Sequence, residues 1–300
     1  MVFFPKGIFL FLILIAAIQR TGLADTASSS VTASIQLDEL AQFALYMSKK
    51  TLALPSRTPS YQGPGAKTRY DDFVATHLNQ TLFIHRTGTF LGWHRFFIHE
   101  FEQALRDDCG CAGDYPYWDW GADADAMEKS PVFDGSDTSL SGNGASIPNQ
   151  LDIKVPLGNY TPTVLPPGTG GGCVTSGPFA SYTVNMVRPQ GMPGSRSLGV
   201  HGVGHYAMGG DPGRDADNSP GDPGFWLHHG MIDRVWWIWQ GLDLETRQYA
   251  ISGTSTFLDQ PASPNVTLET VIDIGHANGG PIAMGELMST TMGPFCYVYV

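Results

Sequence analysis

Histidine is concentrated in two short stretches of this sequence, and no other residue type has a distribution so suited to chemistry. Four of the nine histidines lie between positions 77 and 99, and four more lie between positions 201 and 229. Neutral imidazole is the commonest metal ligand in proteins because its ring nitrogen offers a lone pair without adding charge. A lone histidine is more often an ordinary core or surface residue. Two dense clusters instead indicate a metal site.

The spacing of the second cluster fits one helix face that is joined by a ligand from another helix. His201 and His205 are in an i, i+4 relationship, so on a helix both rings project from one face and can bind one ion. His228 and His229 are adjacent and point about 100° apart on a later helix, so only one of them is expected to join the same metal. Spacing alone leaves that choice open.

The first cluster supplies a second set of three imidazoles. His77 belongs to one predicted helix, His85 to the connection that follows, and His94 to the start of the next helix. His99 lies one turn further on and faces about 140° away from His94. Three histidines suit a catalytic zinc, but two such sets without a carboxylate ligand point more specifically to paired copper that reacts with dioxygen. The sequence therefore predicts two three-imidazole sets with open coordination positions.

Helical periodicity predicts the elements that position these histidines. Helices are expected at 38–49, 68–78, 91–107, 200–208 and 223–240. The turn-rich stretch 134–172 has no lasting periodicity and is predicted to be a long loop. Because the two histidine clusters must meet at a shared site, the sequence predicts one mostly helical domain.

Composition excludes several classes of function. The chain of 300 residues is 42% hydrophobic, which is enough for a sizeable core, and only 15% charged. It is therefore expected to be globular rather than disordered. The net charge is −11 and there is no dense cluster of lysine and arginine, so binding to nucleic acid or to an anionic membrane is not expected.

Residues 1–24 are predicted to be a secretory signal peptide. Lys6 precedes an apolar stretch from Ile8 to Ile18, and small residues at alternate positions lead to a cleavage site before Asp25. This stretch is shorter than the ~20 residues needed to span a bilayer, so no stable membrane anchor is expected. The mature protein, residues 25–300, is expected to be secreted as a single domain.

Secretion would expose the cysteines to an oxidising compartment, where two disulfides are expected. A bridge between Cys109 and Cys111 would close a strained ring, so each is expected to reach one of the distant pair, Cys173 and Cys296. The pairing itself stays open. A thiolate metal site is the alternative, but Cys-x-Cys without a nearby repeat is a weak match to zinc spacings.

Three sequons for N-linked glycosylation begin at Asn79, Asn159 and Asn265. The first lies among the histidines, where burial would prevent its use. Secretion makes all three candidate modification sites.

Two composite motifs resemble those of the tyrosinase and catechol oxidase family. The run His85-x4-Phe90-Leu91-Gly92-Trp93-His94-Arg95, with Glu102 downstream, resembles the first copper motif of that family. The run Asp222-Pro223-Gly224-Phe225-Trp226-Leu227-His228-His229-x3-Asp233 resembles the second. The run Tyr297-Val298-Tyr299 resembles the tyrosine motif that closes the family's core. The motifs occur in the right order and cover the chain from about Tyr70 to Leu242.

This resemblance implies a mainly α fold, in which a four-helix bundle core holds a dicopper centre, with long loops and little β. It also implies that the chain ends where the core ends, without the C-terminal shielding domain of long fungal tyrosinases. O2 is the implied cosubstrate. The implied ligands are His77, His85 and His94 for copper A and His201, His205 and His229 for copper B.

The resemblance also implies roles for residues near the ligands. Phe225 matches an aromatic residue that packs beside them, and Phe90 is among the aromatic residues expected to seal the site from water. His228, the first member of the histidine doublet, is expected to lie beside the ligands without binding copper. Asp233 is one turn after His229 and is expected to orient the helix or its imidazole, with an ordinary surface or capping role as the alternative.

Four positions bear on how substrate would be handled. Phe83 stands where many members carry a cysteine linked to a ligand ring, so no thioether is expected. Gly202 stands where members active on monophenols often carry an asparagine that helps to deprotonate a phenol. Tyr206 is expected to restrict or stack against substrate at the entrance, and Ala216 is the expected gate residue.

The implied reaction is oxidation of o-diphenols to o-quinones with reduction of O2 to water, so the expected partners are a small phenol and O2. No catalytic residue is expected beyond the copper ligands, because a catechol is acidic enough to deprotonate at the metal. The alternatives are a tyrosinase with monophenol hydroxylase activity, an o-aminophenol oxidase, a haemocyanin-like O2 carrier and a structural zinc protein. The sequence does not specify an oligomeric state.

Overall fold

Helices carry both histidine clusters in the part of the chain that is described. The computed structural model describes residues 2–3, 40–45, 59–157, 160–186, 199–210, 213–277 and 279–300. The helices are α1 (Arg69–Ile84), α2 (Phe90–Cys109), α3 (Val200–Met208), α4 (Gly224–Gly241) and the single turn α5 (Leu244–Arg247), and residues 40–45 are also helical. Short 3-10 helices lie at Met127–Lys129, Ser219–Gly221, Phe257–Asp259, Gly275–Ala277 and Met284–Leu287.

Local sequence signals explain where these helices begin and end. The main-chain N–H of Thr68 donates to the carboxylate of Asp71 at 2.8 Å, which closes a capping box at the start of α1. α2 ends at Gly110, whose φ of 72° is the left-handed conformation that glycine adopts without strain. α1 runs past the predicted end at position 78 to Ile84, and in this last part the hydroxyl of Thr81 donates to the carbonyl of His77. The periodicity located the other helices of the site to within two residues.

The predicted loop at 134–172 contains a β-hairpin and most of a second antiparallel strand pair that encloses it in the sequence, so that prediction is wrong. Strand β2 (Gly144–Ser146) pairs with β5 (Gly171–Val174), and β3 (Ile153–Leu157) pairs with β4 (Tyr160–Leu165). The alternation of Ile153 and Val155 with polar residues is a strand pattern, and Gly158-Asn159 is a turn dipeptide in the sequence. Prolines within both runs obscured this signal.

The remaining strands have two residues each, which confirms that the fold contains little β. Strand β1 (Val2–Phe3) pairs with β8 (Tyr297–Val298), and β6 (Val271–Ile272) pairs with β7 (Ile282–Ala283), all antiparallel. β1 falls within the predicted signal peptide, and the rest of that segment, residues 4–24, lies outside the described residues.

An aromatic stack joins the helices behind the histidines. The rings of Phe101 and Trp226 stack with centroids 3.5 Å apart, and Phe73 meets Trp226 edge-on at 5.7 Å. The indole N–H of Trp226 donates to the hydroxyl of Tyr70 at 2.9 Å, and that hydroxyl donates to the carbonyl of Pro220. These contacts tie α1, α2 and α4 into one core, because each of the four side chains is buried.

The packing of α1 to α4 confirms the mainly α prediction with a four-helix core. α2 packs against both α1 and α4, while α3 packs on α4. α2 carries histidines of the first cluster, and α4 carries histidines of the second. Because α2 packs on α4, the two clusters meet. Among the described residues, no helix is long and apolar enough to cross a membrane.

Candidate metal centre

The three histidines of the first cluster converge in the core. His77 and His94 project from α1 and α2, and His85 lies in the connection between these helices. Their ring centroids lie 4.9 Å apart for His77 and His85, and 5.2 Å apart for His85 and His94. One nitrogen of each ring lies within 4.8 Å of the others, and all three residues are buried. This set can hold one metal ion.

Main-chain carbonyl groups fix which nitrogen of each ring faces the cluster. The Nδ1 atoms lie between 2.8 and 3.1 Å from carbonyl oxygens, in the pairs His77–Asp217, His85–Thr81 and His94–Phe90. A carbonyl oxygen can only accept, so each Nδ1 carries the proton and each Nε2 keeps its lone pair. The Nε2 atoms of His77 and His94 are buried without a hydrogen-bond partner among the described residues. Such a lone pair is satisfied by a metal ion.

In the second cluster, as in the first, the Nε2 atoms of the rings face one another. The Nε2 of His201 lies 3.1 Å from the Nε2 of His205 and 3.3 Å from that of His229. The Nδ1 of His205 lies 3.0 Å from the carbonyl oxygen of Gly213, which again leaves Nε2 as the ligand atom. Nitrogen atoms bound at about 2.0–2.1 Å to one tetrahedral ion lie at a similar spacing from each other.

His228 competes with His229 as the third member of this set. The nitrogens of His201, His205 and His228 also lie within 4.8 Å of one another. The Nε2 of His228, however, lies 2.9 Å from the main-chain carbonyl oxygen of His201 and is therefore already hydrogen-bonded. Its ring also packs on Gly204, where an added Cβ would lie 2.3 Å from the ring carbon Cε1. The Nδ1 of His228 is buried without a hydrogen-bond partner among the described residues, so the geometry admits either histidine. The family resemblance is what implies His229 as the ligand.

The two sets of histidines face each other directly. The rings of His94 and His229 are stacked, with centroids 4.4 Å apart and an interplanar angle of 13°. The rings of His85 and His201 also stack across the gap, at 6.1 Å. Two metal ions held by these sets would therefore be neighbours, which is the arrangement that a two-metal reaction requires.

Two phenylalanines close the space between the sets. The ring centroid of Phe225 lies 4.2 Å from that of His229 and 5.3 Å from that of His77. The ring of Phe90 lies 4.7 Å from His94 and 4.8 Å from His201. Phe225 is fully buried, and its ring lies beside the rings of two candidate ligands. These rings exclude water from the faces of the imidazoles.

Burial keeps the clustered imidazoles neutral. Desolvation lowers the pKa of His85 from 6.5 to about 4, and a hydrogen bond to a carbonyl only partly opposes it. Desolvation, reinforced by the neighbouring imidazoles, also lowers the pKa of the remaining candidate ligands well below 6.5: His77, His94, His201, His205 and His229. Neutral imidazole is the form that binds metal, so the site is ready to bind at neutral pH.

Asp233 anchors the helix that carries His229. Its Oδ1 accepts from Nε of Arg95 at 2.6 Å, and its Oδ2 accepts from the hydroxyls of Tyr297 at 2.6 Å and Tyr299 at 2.5 Å. The alternative of a surface or capping role is wrong, because the carboxylate is buried. These bonds position α4 through α2 and the closing tyrosines rather than through an imidazole. Sequence reasoning missed the pairing with Arg95, although both residues belong to the copper motifs.

The predicted pocket residues are divided between the two sets of histidines. Gly202 and Tyr206 are half-buried on α3, and burial raises the pKa of the Tyr206 hydroxyl. Ala216 is half-buried and directly precedes Asp217, whose carbonyl bonds to His77. Phe83 is 56% exposed at the end of α1.

The predicted modifications receive no direct support from the structure. No disulfide joins the four cysteines, all of which are among the described residues, so the two disulfides stay a prediction. Asn265 is exposed, whereas Asn159 lies outside the described residues. Asn79 is also exposed, so the expectation that burial would block this sequon is wrong.

Two facing sets of three imidazoles on a four-helix core define a helical protein with a paired metal centre. The model for the common central domain of tyrosinase matches residues 67–197 and 186–242 of the sequence. Tyrosinase P of Aspergillus terreus is 37% identical over 293 residues, covering 79% of this chain and 82% of that protein. N-acetyl-6-hydroxytryptophan oxidase of Emericella nidulans is 34% identical over 317 residues, covering 82% of this chain and 85% of that protein.

A solved structure of a mutant polyphenol oxidase from Thermothelomyces thermophila has the same fold. It matches with a TM-score of 0.79 and 35% identity, over 88% of this chain and 86% of that one. The chain therefore belongs to the tyrosinase family. It is an oxidoreductase whose cofactors are two copper ions and whose cosubstrate is O2.

Proposed function

We propose that this protein is a secreted o-diphenol oxidase, which converts catechols to o-quinones while O2 is reduced to water. The observation that carries the proposal is the direct stacking of His94 on His229, which joins two neutral three-imidazole sets into one centre. The proposed ligands of copper A are His77, His85 and His94, and those of copper B are His201, His205 and His229.

The two copper ions, when bound, supply the redox chemistry that couples two diphenols and one O2 to two o-quinones and two waters. The chain's own part is to hold and shield this centre. Main-chain carbonyls of Asp217 and Gly213 keep the protons of His77 and His205 on Nδ1, so that both Nε2 lone pairs point inward. Phe90 and Phe225 keep water from the imidazole faces.

A preference for diphenols over monophenols follows from Gly202. A catechol is acidic enough to lose its protons at a metal, whereas a monophenol needs more help. Gly202, next to the ligand His201 on α3, has no side chain that could provide such help. We therefore expect weak or absent hydroxylation of monophenols.

The test is steady-state turnover of catechol and of tyrosol by the copper-loaded protein. Catechol is expected to be oxidised at a much higher rate, and equal rates would contradict the preference. A Gly202→Asn variant is the matched comparison, because its amide sits where a helper group is expected. This variant should gain tyrosol turnover relative to catechol turnover.

A tyrosinase with monophenol hydroxylase activity is the second candidate. The name of the relative Tyrosinase P supports it, and the name of the hydroxytryptophan oxidase supports action on larger hydroxylated rings. A panel that adds an o-aminophenol separates these activities. Oxygen uptake without any quinone product would instead favour a haemocyanin-like carrier.

Secretion, glycosylation and disulfide formation complete the proposal. The apolar N-terminal stretch before Asp25 supports secretion, and the exposed side chains of Asn79 and Asn265 support glycosylation. N-terminal sequencing of secreted protein should start at Asp25, and a start far from it would contradict the cleavage site. Peptide mapping without reduction should find two disulfides that involve Cys173 and Cys296.

A further inference from the structure

A cleft beside the proposed copper centre has no role in the chemistry described so far. Its volume is about 510 Å3, which falls in the range of about 300–1,000 Å3 usual for small-molecule sites. His201 and Phe90 line its inner end, and the ring of Phe90 also contacts His94 at 4.7 Å. The cleft therefore adjoins the centre through two side chains that belong to both.

The lining of this cleft is mostly apolar, and Thr87 and Ser252 contribute its uncharged polar side chains. Among the described residues, His201 is the only ionisable side chain that lines it. Its floor is formed by buried side chains of Ile232, Trp236, Met284 and Met288. At its rim, Val200, Val235 and Trp239 remain 54%, 38% and 40% exposed. Apolar residues grouped around a concave surface mark a binding site more often than scattered ones do.

Cation–π contacts hold the two tryptophans of the cleft in place. The guanidinium carbon of Arg95 lies 3.8 Å from the ring centroid of Trp236, and Arg95 is itself fixed by Asp233. The guanidinium carbon of Arg247 lies 5.0 Å from the ring centroid of Trp239. Aromatic walls that are fixed before binding lose little conformational freedom when a ligand arrives.

We propose that this cleft binds a bulky, uncharged apolar or aromatic substituent of the phenolic substrate, and so selects substituted catechols over catechol itself. The inference rests on the proposed function, since it extends the same site. A catechol ring alone would leave most of the cleft filled with water. A second ring placed on Trp236 and Trp239 would remove apolar surface from water. Anionic substituents would find no cationic partner among the described residues that line the cleft.

The first test compares catechol with 4-phenylcatechol on the copper-loaded protein. The KM for 4-phenylcatechol is expected to be lower by about tenfold or more, because an entire ring is buried. Val235→Asp places a carboxylate on the rim and is expected to lower the ratio of kcat/KM for 4-phenylcatechol to that for catechol by about tenfold. Ile238→Asp is the matched control, since it lies on the same helix, is 41% exposed and does not line the cleft.

A second measurement does not depend on turnover. Biphenyl-4-methanol has no phenolic hydroxyl, and calorimetric titration should detect its binding to the wild type and to Ile238→Asp but not to Val235→Asp. Ser252→Phe fills the outer cleft and offers an independent variant. It should weaken binding of the same probe by about tenfold.

The outcomes separate this inference from the function on which it rests. If copper loads but neither diphenol is oxidised, the proposed function fails. If both diphenols are oxidised with equal kcat/KM, or if Val235→Asp leaves their ratio unchanged, the function stands and the substituent site is overturned. A wild-type dimer that Val235→Asp dissociates, with an unchanged ratio, would assign this face to a second copy of the chain and also overturn it.

Discussion

Nε of Arg95 donates to Oδ1 of Asp233 at 2.6 Å, and both side chains are buried. The pair joins α2 to α4, and the hydroxyls of Tyr297 and Tyr299 extend it to the last strand. Three hydrogen-bond donors, from α2 and from the end of the chain, thus meet at one carboxylate of α4. A charge that is buried in this way stabilises the fold only while its partner remains.

Replacing Asp233 by asparagine is expected to destabilise the protein by about 3–5 kcal/mol, because Arg95 would be left buried without its counter-charge. Urea unfolding monitored by tryptophan fluorescence measures this loss. Asp152→Asn, at an exposed position, is the control and should change the free energy of unfolding by less than about 0.5 kcal/mol. A loss below about 1 kcal/mol in Asp233→Asn would show that the pair is not a main anchor.

The two members of the histidine doublet are expected to differ in their effect on copper content. His229→Ala should retain about one copper per chain, because one of the two three-imidazole sets remains complete. His228→Gln should retain two, since glutamine keeps an N–H that can donate to the carbonyl of His201. Metal analysis after dialysis provides the measurement. The opposite result, with copper lost only in His228→Gln, would make His228 the ligand.

Gly204 is expected to tolerate no side chain, because an added Cβ would lie 2.3 Å from the ring of His228. Gly204→Ala should therefore weaken binding of the second copper ion, even though alanine favours a helix by about 1 kcal/mol over glycine. Gly199→Ala is the control at the start of the same helix, where none of the described residues lies within 4 Å of the added atom. Equal copper affinity in the two variants would contradict the close packing.

Glu102 is expected to make stability depend on pH in the direction opposite to that of a salt-bridged carboxylate. Burial raises its pKa from 4.5 to about 7, although the neighbouring Arg106 opposes this shift. Between these values the folded state holds a proton that the unfolded state has released. The stability linked to Glu102 is therefore fully present below pH 4.5 and is lost as the pH rises through about 7.

Glu102→Gln removes this titration. The free energy of unfolding of the wild type, relative to that of Glu102→Gln, should fall by up to about 3 kcal/mol between pH 4 and 8. Urea unfolding at several pH values on both proteins gives this difference. A difference that rises with pH would mean that the ion pair with Arg106, at 2.8 Å, outweighs burial.

The sequence predicted the helices and both histidine sets because periodicity and ligand spacing are local properties. The choice between His228 and His229 needed the family resemblance, since adjacent residues differ only in direction. The hairpin of β3 and β4 was missed because its alternating runs are short and interrupted by proline. The pairing of Arg95 with Asp233 depends on how two helices dock, which no local pattern encodes.

The carbonyl groups that orient the histidine rings could not be predicted from the sequence either, because they are main-chain groups. His77 and His205 bond through Nδ1 to the carbonyls of Asp217 and Gly213. Every amino acid carries a carbonyl, so substitutions at these two anchors leave the acceptor in place. An inserted or deleted residue in this segment would instead shift the acceptor away from the ring. The metal centre therefore tolerates substitutions in this segment but not changes in its length. Homologous sequences should differ here in residue type more readily than in the number of residues.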